Sequence, residues 1–382
     1  MAFSNHNRQA RRGFVLGASA LALALAGCQT SRRGPNLSEP GPIVPVTPID
    51  NQRNLVAVIV PMSGPEGAVG QSIANAANLA LLDSGEKSLR ITMYDSAGAG
   101  GAAAAATRAI ANGNRLILGP LLAAEVRAVA PIARRAGVPV VAFSNDTSVA
   151  GRGVYLMGFT PDQSIDRVAR FARAKGAARF GVLVPSGVYG QRASQAMVSV
   201  VHAAGGRITA FEQFDRSPVA VKAAVARLVA KGQYDAVLIG DAGRIAAVAA
   251  PGLPRATRLL GTELWATEKN LGIAPALRGA WFAAAPDMRF TQLSGRYRAR
   301  YGRAPYRLAS LGYDAVLLAV RTARNWPVGR SFPAAMLVDR EGFGGVDGSF
   351  RFNRDGIAER LLEVRQVTAT GTTVVAPAGK AF

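Results

Sequence analysis

The sequence predicts an α/β protein made of two similar units, each with a parallel sheet covered by helices. From residue 55 onward, short apolar runs rich in Val and Ile alternate with segments of helical spacing. The first run, residues 55–61 (LVAVIVP), contains no polar side chain, as expected for a strand covered on both faces. The alternation begins again near residue 164, so the 382-residue chain is predicted to hold two βα units in tandem.

The elements of each unit follow from the spacing of apolar residues and from the Gly and Pro residues between them. In the first unit we predict strands at 55–61, 89–95, 115–120 and 138–144 and helices at 72–85, 100–113 and 123–137. In the second unit we predict strands at 179–185, 207–214, 234–240, 258–263 and 279–285 and helices at 164–176, 190–206, 218–232 and 244–252.

The amino-terminal segment has the features of a bacterial export signal. Basic residues precede an apolar run from Val15 to Ala26, and small residues lead to Cys28. This order resembles the lipobox of bacterial lipoproteins, in which the cysteine is lipidated and becomes the new amino terminus. The alternative is a soluble exported protein cut nearby. The residues "RRGF" at 11–14 also resemble a twin-arginine signal.

Composition excludes several classes of function. If the one cysteine is lipidated, no thiol is left for catalysis or for a metal, and His202 is then the one histidine outside the signal. We therefore expect no metal and no cofactor. The formal charge of +21 would suggest nucleic acid in a cytoplasmic protein, but an exported protein meets anionic lipid or wall polymers instead. The Arg-rich stretch 289–307 is either such a surface or a solvated helix face.

Seven motifs in order resemble the type I periplasmic-binding proteins. The first is "VAVIVPMSGPEGAVGQSIANAANLAL". The other six follow along the chain: "LGPLLAAEV", "AGVPVVAFSND", "GFTPDQ", "VLVPSGVYGQRASQAM", "SLGYDAVLLAVRTA" and "GFGGVDGSFRFNRDG". The resemblance implies a type I periplasmic-binding fold, with two Rossmann-like parallel-sheet lobes joined by three crossovers. It covers roughly residues 55–375.

Within that superfamily, "GPLL", "GFTPDQSIDRVA" and "PSGVYGQR" are similar to the penicillin-binding protein activators, which are lipoproteins. This resemblance implies a lipid-anchored envelope protein that regulates a bifunctional penicillin-binding protein by contact and catalyses no reaction itself. The activators known best also carry a helical-repeat domain before the α/β body, and here a short segment stands in its place. The alternative is a lipoprotein that binds an amino acid or a peptide for a transporter. Gln29 is compatible with outer-membrane sorting.

The domain prediction follows from these motifs and from composition. Residues 1–27 are predicted to be the signal, and residues 28–54, which hold Cys28 and repeated prolines, a flexible tether. Lobe 1 is predicted at 55–160 plus 286–336, and lobe 2 at 161–285 plus 337–376. The glycine-rich motif at 342–356 is interpreted as scaffold, and the resemblance implies that it makes the last crossing between the lobes.

In open α/β sheets ligands bind beyond the carboxyl ends of the strands. The side chains predicted at such positions are Ser63, Ser144, Asn145, Thr147, Tyr189 and Asp241. Ordinary turn chemistry is the alternative for Ser144, Asn145 and Thr147. The loop after Gly119 offers Leu121 and Leu122, where amino-acid-binding members usually supply a hydroxyl, so the cleft is expected to suit free amino acids poorly.

We find no sequence motif of an enzyme. The carboxylates that could do acid–base work are Asp95, Asp162, Asp241, Glu263 and Asp314. None of them stands in a nucleophile, phosphate-loop or metal motif. The sequence therefore predicts a protein that acts by binding.

Overall fold

The computed structural model describes residue 50, residues 52–268 and residues 270–382. The predicted signal, Cys28 and all of the predicted tether up to residue 49 lie outside the described residues. In the described ranges no helix is both long enough and apolar enough to cross a bilayer.

The described chain alternates strands and helices, as the sequence predicts. The strands are β1 (Asn54–Val60), β2 (Leu89–Asp95), β3 (Leu116–Leu118), β4 (Val140–Ala142), β5 (Val154–Leu156), β6 (Arg179–Pro185), β7 (Arg207–Phe214), β8 (Ala236–Ile239), β9 (Arg258–Gly261), β10 (Trp281–Ala284), β11 (Phe343–Gly345), β12 (Gly348–Phe352), β13 (Ala358–Arg360), β14 (Glu363–Val367) and β15 (Thr372–Ala376). The helices are α1 (Gly67–Ser84), α2 (Gly101–Ala111), α3 (Ala123–Arg135), α4 (Pro161–Ala174), α5 (Val188–Ala203), α6 (Pro218–Ala230), α7 (Gly243–Ala249), α8 (Met288–Tyr301) and α9 (Ala309–Ala323).

Lobe 1 is built on a five-stranded parallel sheet in the order β2-β1-β3-β4-β5. All seven residues of β1 are buried, because helices cover both faces of the sheet. Val56 and Val58 pack toward α1 and α9, whereas Ala57 and Ile59 pack toward α2 and α3. The predicted tether, residues 28–54, extends one residue too far, since Asn54 is already buried in β1 and its side-chain amide donates to the carbonyl of Trp326 at 2.7 Å.

Lobe 2 has a seven-stranded sheet in the order β15-β14-β10-β9-β8-β6-β7. Strands β6 to β10 are parallel, as predicted. The last two strands differ from the parallel prediction: β14 runs antiparallel to β10, and β15 antiparallel to β14. Only a short turn joins β14 to β15, and a short turn permits antiparallel pairing alone.

The chain passes between the lobes three times, at residues 157–160, 285–287 and 361–362. Two buried arginines join these crossings. Arg360 donates to the carbonyl of Met157 at 2.6 Å, and so links the third crossing to the first. Arg365 donates to the carbonyl of Ala285 at 2.9 Å and pairs with Glu363, and so links the third crossing to the second.

The small antiparallel sheet β11-β12-β13 corrects one predicted boundary. Residues 337–376 were expected in lobe 2, but the side chains of Phe343, Phe350 and Ala358 lie in the same core as α1 and α9 of lobe 1. The alternation of apolar and polar residues in this segment shows that one face is buried, but it cannot show against which lobe. The last crossing therefore comes after β13, at residues 361–362.

In each lobe the helix that follows the first strand lies close to that strand, and a glycine in the helix permits the contact. A Cβ on Gly70 would stand 1.7 Å from the carbonyl oxygen of Pro61, and a Cβ on Gly190 would stand 1.6 Å from that of Pro185. No other residue fits at these two places without a shift of the helix. The repeat of this contact supports two lobes of similar construction.

We expect Gly70→Ala to lower the free energy of unfolding by about 2 kcal/mol or more, because the added methyl overlaps backbone that cannot move aside. The matched control is Gly295→Ala in α8, where a Cβ meets nothing within 4 Å. The control should leave stability unchanged or raise it by up to about 1 kcal/mol. Urea denaturation measures both, and equal stability of the two variants would contradict the close contact.

Candidate functional site

A cavity of about 350 Å³ lies between the lobes, beyond the carboxyl ends of their strands. Lobe 1 contributes apolar side chains from α1 and from the loops after β3 and β4. Lobe 2 contributes residues of α4 and of the short 3₁₀ helix at Glu263–Thr267. The apolar lining residues are Val69, Leu121, Leu122, Phe143, Phe159, Leu264, Ala266, Ala284, Ala285, Leu308 and Leu362. The polar ones are Glu66, Asn145, Thr160, Gln163, Glu263, Thr267 and Arg307.

Two polar atoms in the cavity wall are buried without a hydrogen-bond partner among the described residues. They are Oγ1 of Thr160, in the first crossing, and Oε1 of Gln163, in the first turn of α4. The amide of Gln163 donates to the carbonyl of Ala358, which fixes the direction of that side chain. Buried polar atoms are nearly always paired; the Thr160 hydroxyl can donate to or accept from a ligand, whereas the Gln163 oxygen can only accept.

Glu263 is held at the lobe 2 side of the cavity by two hydroxyls. Ser164 Oγ donates to Oε2 at 2.5 Å, and the Tyr189 hydroxyl donates to Oε1 at 2.9 Å. Burial raises the pKa of Glu263, and the nearby charge of Asp162 adds to the increase, although the two hydrogen bonds oppose it. Burial also raises the pKa of Tyr189 well above its ordinary value, so the hydroxyl remains a donor at neutral pH.

Four ionisable side chains form a buried group at the lobe 1 side, which we call the hinge cluster: Arg307, Asp314, Asp347 and Arg360. Arg307 Nη1 lies 2.5 Å from Asp347 Oδ1, and both arginines lie over the ring of Phe159. Burial, with the charge of Asp347 next to it, raises the pKa of Asp314 to about 7. Arg307 also lines the cavity, so the cluster presents a guanidinium to any ligand there.

Of the six predicted ligand positions, Asn145 alone lines this cavity. The Ser63 hydroxyl donates to Asp95 at 2.7 Å in the turn after β1. The Ser144 hydroxyl accepts from the amide of Asp146 at 3.1 Å, which is the turn chemistry given above as its alternative. These two side chains therefore organise loops at the cleft edge.

Thr147 takes part in a bridge between the lobes. The guanidinium of Arg192, in α5 of lobe 2, donates to the hydroxyl of Thr147 and to the carboxylate of Asp146 in lobe 1. Arg127 pairs with the same carboxylate at 2.7 Å. Burial opposes ionisation of Asp146, but hydrogen bonds from Ser148 and the charge of Arg192 hold its pKa below the ordinary value. This bridge holds one edge of the cleft.

Tyr189 and Asp241 stand behind the cavity wall. Tyr189 contacts Glu263, which does line the cavity, whereas Asp241 pairs with Arg216 at 2.7 Å and accepts from the amide of Ala242. The carbonyl of Asp241 accepts from the indole of Trp265 at 2.9 Å, so this residue fixes the 3₁₀ helix that carries Glu263. Both predicted residues support the site without lining it.

Sequence reasoning missed the polar groups that face the cavity most directly. Thr160 and Gln163 lie in the motif "GFTPDQ", which carried the family resemblance but no residue role. Arg307 ends the basic stretch 289–307, in which Arg298, Arg300 and Arg303 are exposed. The spacing of the arginines along this stretch does not distinguish Arg307, which lines the cavity, from the exposed ones.

The arrangement offers binding groups rather than a metal site. Among the residues described, no group of three His, Cys, Asp or Glu side chains could hold a metal ion. The carboxylates Asp95 and Asp241 bind loop amides and neighbouring side chains, and Asp314 is enclosed in the hinge cluster. Glu263 faces a cavity that is mostly apolar.

The family model described as periplasmic binding protein matches residues 55–372. The chain belongs to this family. Among solved structures it is similar to the leucine binding protein of Thermotoga maritima MSB8, with a TM-score of 0.64 and 23% identity, covering 86% of this chain and 99% of that one. It is also similar to a solute binding protein of an ABC transporter from Rhodopseudomonas palustris BisB5, solved in complex with 3,4-dihydroxy benzoic acid. That match has a TM-score of 0.64 and 18% identity and covers 87% and 97% of the two chains.

A curated relative is the uncharacterized protein RP748 of Rickettsia prowazekii (strain Madrid E), 24% identical over 170 residues. The match spans 44% of this chain and 46% of that protein, so less than half of the relative is covered. At these identities the solved structures establish the type I fold with its parallel-sheet lobes. The named relatives with solved structures are binding proteins, in agreement with a chain that acts by binding.

The hinge cluster predicts a pH dependence of stability. Because the folded protein holds the proton of Asp314 up to a pH of about 7, while the unfolded chain loses it near 3.8, unfolding becomes easier as the pH rises between these values. Asp314→Asn should therefore gain stability relative to the parent protein, by roughly 1 to 3 kcal/mol between pH 5 and pH 8.

The control for this experiment is Asp166→Asn, which removes an exposed carboxylate paired with Arg170. The stability of that variant relative to the parent should change by less than about 0.5 kcal/mol over the same pH range. Thermal and urea unfolding at four pH values measure both variants. A relative stability of Asp314→Asn that does not change with pH would show that Asp314 titrates as an ordinary carboxylate.

Proposed function

We propose that this protein is a solute-binding protein of the cell envelope that takes a small carboxylic acid with an apolar body into the cavity between its lobes. One observation carries this proposal: an apolar cavity whose wall also presents the guanidinium of Arg307 and the partnerless buried hydroxyl of Thr160, which can donate to a carboxylate. Pockets for small ligands have this character, mostly apolar with a few convergent polar groups.

The guanidinium of Arg307 attracts an anion, against the carboxylates of Glu66 and Glu263, which also line the cavity. When Asp314 holds its proton, the hinge cluster has two guanidiniums against the single carboxylate of Asp347. The net positive charge lies in surroundings of low polarity, where a charge acts more strongly than in water. A carboxylate placed near Arg307 would gain from this, and an uncharged amide of the same shape would not.

The same wall supports an acid without an ammonium group. Leu121 and Leu122 occupy the lobe 1 side, so this loop offers no side-chain hydroxyl to the ligand. Glu263 already accepts hydrogen bonds from Ser164 and Tyr189, and burial disfavours its charged form. A free amino acid would leave its ammonium poorly compensated. The relative solved with 3,4-dihydroxy benzoic acid holds a ligand of the favoured class.

The location of the protein is part of the proposal. The family gives an envelope location, and the lipobox-like segment ending at Cys28 supports attachment through lipid on that cysteine. Mass spectrometry of the amino-terminal peptide from membrane fractions tests this attachment. An unmodified Cys28 would leave the proposed solute-binding role intact and remove the anchor.

We expect benzoate or 3,4-dihydroxybenzoate at millimolar concentration to raise the melting temperature, and benzamide to leave it unchanged. A ligand at a hundred times its dissociation constant stabilises by about 2.7 kcal/mol. Leucine should have a weaker effect than either acid. Differential scanning fluorimetry followed by calorimetry gives the affinities.

The variant Leu122→Trp fills the mouth of the cavity and should weaken binding at least tenfold. Its matched control is Leu82→Trp, the same exchange at an exposed leucine of α1 that does not line the cavity. Equal binding by both variants would contradict the location of the site. Failure of every small acid to bind, with the protein folded, would contradict the proposed function.

The activator role is the second candidate, and the motif "GPLL" at residues 119–122 supports it. In the structure the two leucines of this motif give the cleft an apolar edge, and Leu122 is 40% exposed, open to a protein as well as to a solute. Adding the protein to a bifunctional penicillin-binding protein tests this role. Stimulated glycan synthesis that persists in a variant unable to bind small acids would favour the activator.

A further inference from the structure

The edge of lobe 1 opposite the cavity carries an array of exposed basic side chains. All five parallel strands begin at this edge, and the helices before them end there. The segment after α9 reaches the same edge, because the amide of Asn54 donates to the carbonyl of Trp326. We call this surface the basic edge; its exposed members are Arg53, Lys87, Arg90, Arg108, Arg115, Arg134, Arg135, Arg152, Arg324 and Arg330.

Most of these side chains have no role inside the protein. Of the ten, only Arg53 and Arg90 lie within 4 Å of a described carboxylate, in both cases that of Asp50. The other eight donate no side-chain hydrogen bond to any described residue. Three further acidic residues lie nearby: Asp83 is already paired with Arg296, Glu86 is half-buried, and the backbone of the exposed Asp355 lies against Gly151.

The corresponding edge of lobe 2 gives an internal comparison. There Arg179 pairs with Asp235 at 2.7 Å and Lys231 pairs with Glu212 at 2.7 Å. The guanidinium of Arg258 lies 4.2 Å from the ring centre of Trp281. The same edge also carries Arg207 and Arg255, which are exposed and pair with no described carboxylate, but it holds fewer such residues than the basic edge of lobe 1.

Helix electrostatics explains only part of the array. A basic residue in the last turn of a helix gains from the negative end of the helix dipole, and this applies to Arg108, Arg134 and Arg135. It does not apply to Arg115 and Arg152, which stand just before β3 and β5. Exposed like charges repel one another, so this concentration suits an extended anionic partner.

The path of the chain indicates which partner. Asp50 and Arg53 immediately precede β1, so residues 1–49 join the folded body at the basic edge. That segment includes the apolar run from Val15 to Ala26 and the predicted lipid site Cys28. The end of the body at which the chain of this segment enters is thus also the end that carries the basic edge.

We propose that the basic edge of lobe 1 docks on the anionic phospholipid headgroups of the membrane and turns the cavity away from it. When basic side chains cluster next to a membrane attachment, each of them adds to the binding free energy for anionic lipid. Salt weakens this attraction by screening the charges. The cavity lies beyond the carboxyl ends of the strands, and the basic edge at their amino ends. Docking in this way leaves the cleft open, whichever solute it binds.

The test is vesicle flotation of the full chain carrying Cys28→Ser, so that no lipid is attached. We expect binding to vesicles containing phosphatidylglycerol, little binding to pure phosphatidylcholine, and loss of binding at 0.5 M salt. The variant with Arg115, Arg134, Arg135 and Arg152 all changed to Gln should bind the anionic vesicles at least tenfold more weakly. If the apolar run at residues 15–26 inserted into the bilayer instead, the protein would bind both kinds of vesicle equally, and this binding would persist at 0.5 M salt.

The matched control removes the same four charges from exposed positions of lobe 2, by changing Arg207, Lys222, Arg244 and Arg255 to Gln. Its binding should stay within about twofold of the parent, and circular dichroism should show both variants folded. Equal loss in the two variants would show that overall charge, not the basic edge, attracts the vesicles. Equal binding to neutral and anionic vesicles would also overturn the proposal, as would tight binding to soluble polyglutamate without binding to vesicles.

Discussion

Two buried arginines link the three crossings between the lobes, and the arrangement of the two lobes depends on these links. Arg360 fastens the third crossing to the first, and Arg365 fastens it to the second. Arg365 pairs with Glu363 and Asp287 and donates to the carbonyl of Ala285, whereas Arg360 donates to the carbonyl of Met157 and lies near the carboxyl groups of Asp314 and Asp347. Removing one partner of such a group typically costs about 3 to 5 kcal/mol. The three crossings are therefore linked to one another, and we refer to them together as the hinge.

This hinge also makes the cavity wall. Phe159, Thr160 and Leu362 belong to the crossings, and Arg307 reaches the cavity from the cluster that holds Arg360. The hinge cluster, which stabilises the fold, thus also places the positive charge of Arg307 at the cavity wall. On the far side the bridge from Arg192 to Asp146, both of which are mostly buried, holds the cleft edge.

Much of the fold could be predicted from the sequence, because buried parallel strands leave continuous apolar runs such as that of β1. The placement of β11 to β13 could not, since Phe350 and Phe352 show that a face is buried but not which lobe covers it. Predicted site residues at strand ends reached the cleft edge, yet Ser63, Ser144 and Asp241 bind their own loops. The inward turn of Arg307 depends on Asp347, forty positions later, and no local pattern records such a pairing.

A small acid bound in the cavity, as proposed, would contact both lobes and hold them closer together. Spin labels at Ala68 and Val188, which are exposed at the first turns of α1 and α5, would report the width of the cleft by pulsed electron resonance in a Cys28→Ser background. The account predicts a broad distance distribution without ligand and a single shorter distance with a bound acid. A distribution that stays the same while the acid is bound would contradict it.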